Sequence, residues 1–171
     1  DADIDKIRSY LNKMTDDNYQ ELYIQIKDVI NNYIDNKESL NKIGNIIFEM
    51  SSINSFWSKL YAKLYKCLIE DYEIMKEICY DNFHNFMELF EKIEYVSPEQ
   101  DYDKFCQINK TNEKRKALSK FFINLMNNNI IEKEEIISII MLLIEVTDRN
   151  LEKSDSRYII EEISENLYIL I

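Results

Sequence analysis

Few residues of this 171-residue sequence have the type and spacing that catalysis requires. Catalysis needs titratable groups that are held together and oriented by a neighbouring group. The one histidine is His84, which lies within the run FHNFMELF, and a position on a helix surface or helix interface is the simpler interpretation. With one histidine and scattered cysteines, zinc ligation has little to draw on. The sequence therefore predicts no catalytic residue and no bound metal.

The phosphate-binding loops of nucleotide-binding proteins are also missing. Both GxxxxGK[ST] and GxGxxG need several glycines, whereas Gly44 is the single glycine of the chain. The acidic pairs, such as Asp16/Asp17 and Glu134/Glu135, are adjacent in sequence, so they point to different sides of a helix rather than converging on a substrate. We therefore predict no cofactor and no enzymatic activity.

Cysteine usage and hydropathy predict a cytoplasmic protein. Cys67, Cys79 and Cys106 are odd in number and form no CxxC pair, which is typical of reduced, structural thiols inside the cell. No apolar run approaches the roughly 18 residues of a membrane span. The first residues, DADIDKIRS, lack the basic and apolar regions of a signal peptide. No membrane partner is expected.

The charge balance bears on the choice of partner. Lys and Arg number 21 against 32 Asp and Glu, which gives a net charge of -11. A negative field repels phosphate and argues against nonspecific nucleic-acid binding by the domain as a whole. A basic protein surface is the better electrostatic match.

One local basic cluster interrupts this negative field. It consists of Lys110, Lys114, Arg115, Lys116 and Lys120. The cluster could contact RNA phosphates or an acidic partner, or it could be an exposed linker that keeps an insertion soluble. The linker is favoured because the surrounding charge is negative.

Composition and periodicity indicate an all-α fold. One Gly and one Pro are too few for the frequent turns of an all-β protein, and apolar residues recur at helical spacing along nearly the whole chain. The predicted helices cover residues 4–14, 15–33, 40–50, 54–68, 71–95, a segment after the Ser97-Pro98-Glu99-Gln100 capping pattern to about 127, 132–146 and 154–170. A polar stretch from Lys110 to Lys116 is a candidate loop. The helix over 132–146 is apolar nearly all round, which predicts cover on several sides.

The helices group into hairpins that begin near Ile4, Lys37, Asp71 and Glu132. The first two intervals are roughly 33 and 34 residues, within the range of two-helix repeats. We therefore expect residues 1–171 to form a single α-solenoid domain of about four antiparallel, HEAT-like hairpins, with a compact helical bundle as the alternative. Because the chain begins with Asp1 rather than Met, we expect it to be part of a longer protein.

Three segments resemble the middle domain of eukaryotic translation initiation factor 4G. The run IRSYLNKMTDDNYQELYIQI matches the opening of that domain, in which a helix ending in RS-x-LNK-L-T precedes a polar turn and an aromatic residue. The segments IGNIIFEMSSINSFWSKLYAKLYKCL and KRKALSKFFINLMNNNII resemble its second repeat and a later helix, in the same order. Proline is usual after the threonine of the family motif, and Asp16 stands there in this chain. Abundant Ile, Asn, Lys and Tyr are typical of an AT-rich genome, as in a virus-encoded member.

The resemblance implies a scaffold of stacked helical hairpins that binds a DEAD-box RNA helicase of the initiation factor 4A kind and stimulates its ATPase and unwinding. The implied contact residues are Arg8, Leu11, Asn12, Lys13, Met14 and Tyr19, and at the far end of the stack Arg157 and Tyr158. The alternative for Leu11, Met14 and Tyr19 is that they pack the first hairpin against the second. Arg157 and Tyr158 either match the Arg-Phe of the family's last helix or only begin the fourth hairpin. A monomer is expected.

Two other functions fit the same sequence. Related middle domains act as scaffolds in mRNA decay, splicing and cap-binding complexes, and some of them bind no helicase. A compact bundle, as in virus-encoded inhibitors, could instead capture an amphipathic partner helix in an apolar groove. That bundle would need a central helix, for which residues 132–146 are the candidate.

Overall fold

The computed structural model describes all residues from Asp1 to Ile171, and it is all-α, as predicted, with no β-strand. Its eight helices are α1 (Ala2–Lys13), α2 (Tyr19–Asn31), α3 (Lys37–Ser52), α4 (Ser58–Asp71), α5 (Ile74–Glu88), α6 (Tyr102–Asn127), α7 (Lys133–Leu151) and α8 (Arg157–Leu170). None of them combines the length and the hydropathy that crossing a membrane requires.

The contacts group the chain into two compact units, residues 1–82 and 83–171. In the first unit α1 packs on α2 and α3, and α3 packs on α4. In the second unit α8 packs on both α6 and α7, and α6 also contacts α7. These contacts are compatible with a solenoid and with a bundle. A single domain over 1–171 stays a prediction.

The core of the first unit is built from the apolar faces that the periodicity marks. Ile7, Ile26, Ile47 and Tyr65 are at most 1% exposed. Gly44 allows α3 to approach α5 closely, since a Cβ there would lie 2.4 Å from Ile78 Cδ1. The glycine therefore has a packing role in this unit.

A cluster of phenylalanines lies in the core of the second unit. Phe86, Phe90, Phe121 and Phe122 are fully buried. The rings of Phe86 and Phe90 meet edge to face with centroids 5.1 Å apart, a geometry that adds to the stabilisation from burial alone. The ring of Phe86 also lies 4.9 Å from that of Phe122, so the end of α5 and α6 are joined through their side chains.

The N-cap of α6, Asp101, lies four residues beyond the predicted cap, Ser97. Ser97 does not cap a helix there. Its carbonyl accepts hydrogen bonds from the N–H groups of Gln100 and Asp101, so the pattern forms a turn, and the Asp101 side chain caps α6 by accepting from Lys104 N at 2.9 Å. Helix α5 also ends at Glu88, not near Tyr95.

The prediction of a loop from Lys110 to Lys116 is wrong, because α6 is continuous through these residues. The predicted stop at the three asparagines is confirmed. Asn129 has a left-handed φ of 59°, and Ile130 N donates to Leu125 O at 3.0 Å, the bond pattern of a Schellman C-terminus.

The prediction that α7 is covered on several sides is also wrong. Ile136, Ile139 and Leu143 are buried, but Ile137 and Met141 are 42% and 60% exposed. Helix α7 therefore leaves one apolar side in solvent, and it is not the central helix that the bundle alternative needs.

Candidate protein-binding surfaces

The segment that resembles the family's opening forms the end of α1, a tight turn and the start of α2. Asn18 holds the turn: its Oδ1 accepts from Thr15 N at 2.7 Å and its Nδ2 donates to Lys13 O at 2.8 Å. Thr15 does not start the second helix, which begins at Tyr19. The segment is thus fixed by its own polar side chains.

Its three apolar residues lie in the core of the first unit. Leu11 and Met14 are each 1% exposed and Tyr19 is 3% exposed. The hydroxyl of Tyr61 donates to Leu11 O at 2.7 Å, a buried bond between α4 and α1. Their burial agrees with the alternative interpretation, in which they pack the first hairpin against the second. In this structure their apolar atoms offer a partner almost no surface.

Tyr19 also leads into a row of polar contacts along α2 and α4. Its hydroxyl donates to Cys67 Sγ at 3.3 Å, and Lys63 Nζ lies 4.6 Å from its ring centroid. Burial and the hydrogen bond to Cys67 raise the pKa of Tyr19, so the hydroxyl stays neutral at physiological pH. Further along the two helices, hydrogen bonds from Lys27 and Tyr23 lower the pKa of the Asp71 carboxyl group.

The surface of the segment is polar and partly basic. Arg8, Asn12 and Lys13 are exposed, and Arg8 and Asn12 are i, i+4 neighbours on one side of α1. Asp16 and Asp17 are exposed in the following turn. A partner that met this segment would therefore contact polar groups first.

The second predicted contact lies at the start of α8. Tyr158 stacks on Tyr95, with centroids 3.7 Å apart and ring planes 7° apart. Arg157 is exposed, and its Nε lies 2.9 Å from Glu161 Oε1. A groove of about 660 Å³ runs beside the tyrosine pair and is also lined by Ser97 and Gln100. Both predicted residues are accessible.

Arg115 is a correction to the predicted basic cluster. It is 1% exposed, so it cannot reach RNA phosphates. Its Nε donates to Leu89 O at 3.1 Å, and its Nη1 donates to Asn112 Oδ1 at 2.8 Å and Glu162 Oε1 at 2.9 Å. The guanidinium is a structural group that joins α6 to α8 and to the end of α5.

The buried ion pair extends into a polar network that the sequence analysis missed. Asn166 Nδ2 donates to Glu162 Oε1 at 3.1 Å, and Ser119 Oγ donates to Asn166 Oδ1 at 2.9 Å. A signal was present: Arg115 precedes the buried Leu118 and Phe122 at i+3 and i+7, so it lies on the apolar face of α6. The helical spacing of Arg115 from Leu118 and Phe122 could therefore have predicted that its side chain is buried.

The other members of the basic cluster are dispersed. Lys116 pairs with Glu113 and Glu165 at 2.8 Å each. Burial lowers its pKa, but hydrogen bonds to these two carboxylates outweigh that effect and raise it. Lys110, Lys114 and Lys120 are exposed on α6. Of the five residues predicted for RNA binding, Arg115 is therefore buried and Lys116 is paired with two carboxylates.

No group of three or more His, Cys, Asp or Glu residues is placed to hold a metal ion. His84 is exposed on α5, as the helix-surface interpretation predicted. The three cysteines form no disulfide, and Cys79 is buried.

No protein-family model, curated protein or solved structure matches the chain.

Proposed function

We propose that this chain is a protein-binding scaffold of the initiation factor 4G middle-domain kind, which binds a DEAD-box RNA helicase of the initiation factor 4A type. The observation that carries the proposal is the ordered occurrence of three family-like segments in an all-helical chain. Binding would stimulate the helicase's ATPase and unwinding in translation initiation.

The burial of Leu11, Met14 and Tyr19 changes which atoms would make the contact. In this proposal the three apolar residues set the angle between α1 and α2, and the exposed polar residues of the segment meet the helicase. Arg8 and Lys13 would supply positive charge within a chain whose net charge is -11. Charged groups at the rim of an interface act mainly on the association rate and its salt dependence.

Arg157 and Tyr158 are the proposed second contact. Tyr158 is 49% exposed although it stacks on Tyr95, so one edge of a rigid aromatic pair stays available. Tyrosine and arginine are enriched among the residues that dominate binding energy at interfaces. Two contacts on one helicase would hold its two lobes in a nearly closed pose.

The direct test is a titration of the chain against purified initiation factor 4A while ATP turnover is followed. The informative variant is Arg8→Ala/Asn12→Ala/Lys13→Ala, since these side chains are exposed and their removal should leave the core intact. We expect affinity to fall roughly tenfold, about 1.4 kcal/mol, with a matching loss of stimulation. Leu11→Ala is unsuitable for this test, because it removes a buried side chain and the resulting loss of stability would look like a loss of binding.

A matched control lies on α3. Lys37, Asn41 and Lys42 are also exposed, so Lys37→Ala/Asn41→Ala/Lys42→Ala removes the same number of charges and one amide. This variant should bind like the unmodified chain. Equal losses in both triple variants, or no stimulation of ATP turnover by the unmodified chain, would refute the helicase proposal. Recovery of a different DEAD-box helicase, or of none, in parallel binding assays would favour the mRNA-decay, splicing or cap-binding scaffold.

A further inference from the structure

Helix α7 carries an apolar stripe on its solvent side. Ile137, Met141 and Ile144 are 42%, 60% and 50% exposed, and Leu151 is 61% exposed further along the helix. Their spacings of four, three and seven residues place them on one side of an α-helix. With a rise of 1.5 Å per residue, the stripe is roughly 20 Å long. An exposed apolar patch of this kind marks an interaction site.

Carboxylates border this stripe along one edge. At 100° per residue, Glu134 and Glu145 lie on the same flank of α7, 11 residues and therefore about 16 Å apart. Both are exposed, and no salt bridge of the chain involves either of them. Asp148, also exposed and without a salt bridge, lies within the stripe itself. The stripe is thus bordered on this edge by carboxylates that form no salt bridge, while the cations Lys133 and Arg149 are also exposed on α7.

We infer that the α7 stripe, defined by Ile137, Met141, Ile144 and Leu151, binds an amphipathic helix of another protein that has Lys or Arg along one edge of its apolar face. The apolar side chains of such a helix would cover the stripe, and its cations would pair with Glu134 and Glu145. Recognition of an amphipathic helix through anchors at i, i+3, i+4 and i+7 is a common mode of peptide binding.

A second copy of the chain fits the stripe less well. Two copies paired antiparallel through the stripe would bring the same carboxylates together, and in any arrangement each copy carries a net charge of -11; like charges juxtaposed across an interface oppose association. The inference does not rest on the helicase proposal, because α7 contains none of the residues proposed for that contact.

The experiment uses the full chain and a fluorescently labelled model peptide of about 18 residues, roughly 27 Å of helix. The peptide carries leucines at i, i+4, i+7 and i+14, with two lysines 11 residues apart on one edge. A second peptide has glutamates in place of those lysines. Fluorescence anisotropy should show the lysine peptide binding at least tenfold more tightly at low salt. The difference should shrink as salt is raised, because exposed charges are screened.

Two variants of the chain locate the binding. Met141→Glu places a charge in the centre of the stripe and should abolish peptide binding, whereas Ile24→Glu, at a position 57% exposed on α2, should leave it unchanged. Glu134→Lys/Glu145→Lys should reverse the preference between the two peptides. Equal binding of both peptides, no binding of either, or equal effects of Met141→Glu and Ile24→Glu would overturn the inference. So would a dimer of the chain that Met141→Glu dissociates.

Discussion

Two regions of this chain differ in which kind of residue they bury and which kind they expose to solvent. At the end of α1, the apolar Leu11 is buried and the cation Lys13 is in solvent. Across α6 and α7 the cation Arg115 is buried, whereas the apolar Met141 is in solvent. All four residues lie on α-helices with apolar residues at helical spacing. What covers each helix therefore decides which residues can bind a partner, and spacing alone does not.

The largest expected effect comes from removing the buried cation. Arg115→Ala leaves Glu162 buried without its partner, and breaking a buried ion pair in this way costs about 4 kcal/mol. The free energy of unfolding, measured by urea denaturation, should fall by that amount. Arg157→Ala is the matched control, because its pair with Glu161 is exposed and worth little. Similar losses in both variants would contradict the structural role of Arg115.

The next effect tests the buried side of the comparison. Leu11→Ala removes a side chain that is 1% exposed and should cost about 3 kcal/mol through lost burial and the cavity left behind. Met141→Ala removes a side chain of similar size from a position 60% exposed and should change stability by less than about 0.5 kcal/mol. Equal losses of stability in the two variants, measured by thermal or urea unfolding, would contradict the difference in burial between Leu11 and Met141.

A smaller effect is expected where α4 meets the end of α1. Tyr61→Phe removes the hydroxyl that donates to Leu11 O but keeps the ring. The carbonyl still accepts from Met14 N at 3.2 Å, so it is not left unpaired and the cost should be about 1 kcal/mol. Hydrogen exchange should show faster opening of α1. A neutral substitution would mean that this bond does not hold α1.

The smallest expected effect is the loss of stability at acidic pH that comes from Asp71. The pKa of Asp71 is lowered in the folded chain by hydrogen bonds from Lys27 and Tyr23, so Asp71 stabilises the fold above its unfolded pKa of about 3.9. That contribution is lost as pH falls through the lowered value. Because the carboxylate is 36% exposed, the effect is modest. Asp71→Asn should shrink the stability difference between pH 7 and pH 3 measured by urea unfolding; an unchanged difference would contradict the pairing.

Most of the fold could be predicted because its helices carry strong apolar periodicity. The first four helices appeared in order, and only their ends moved, as for α2, which begins at Tyr19 rather than Thr15. The errors came where local patterns compete with tertiary contacts. Ser97 and Pro98 resemble a helix start but form a turn, and the polar run from Lys110 to Lys116 resembles a loop, although it is helical and holds Arg115 against Glu162.

Less of the candidate site could be predicted, because exposure depends on elements distant in sequence. Leu11 is covered by helices up to 50 residues away, including the one that bears Tyr61. Conversely, nothing in the run IISIIMLLI distinguishes the buried Ile139 from the exposed Met141. The family-like segments predicted a binding site on the first hairpin. The exposed apolar surface of α7 could be recognised only once the packing of the helices was known.

The network around Arg115 also sets an order for folding during synthesis. Arg115 and Glu162 are 47 residues apart, and a ribosome adds roughly 5 to 20 residues per second. For several seconds α6 therefore exists without the carboxylate that neutralises its inward-pointing guanidinium. We expect the second unit to gain its native packing only when α8 has emerged. A chain stalled before Glu162 should be a substrate for quality-control proteases, however complete its earlier helices are.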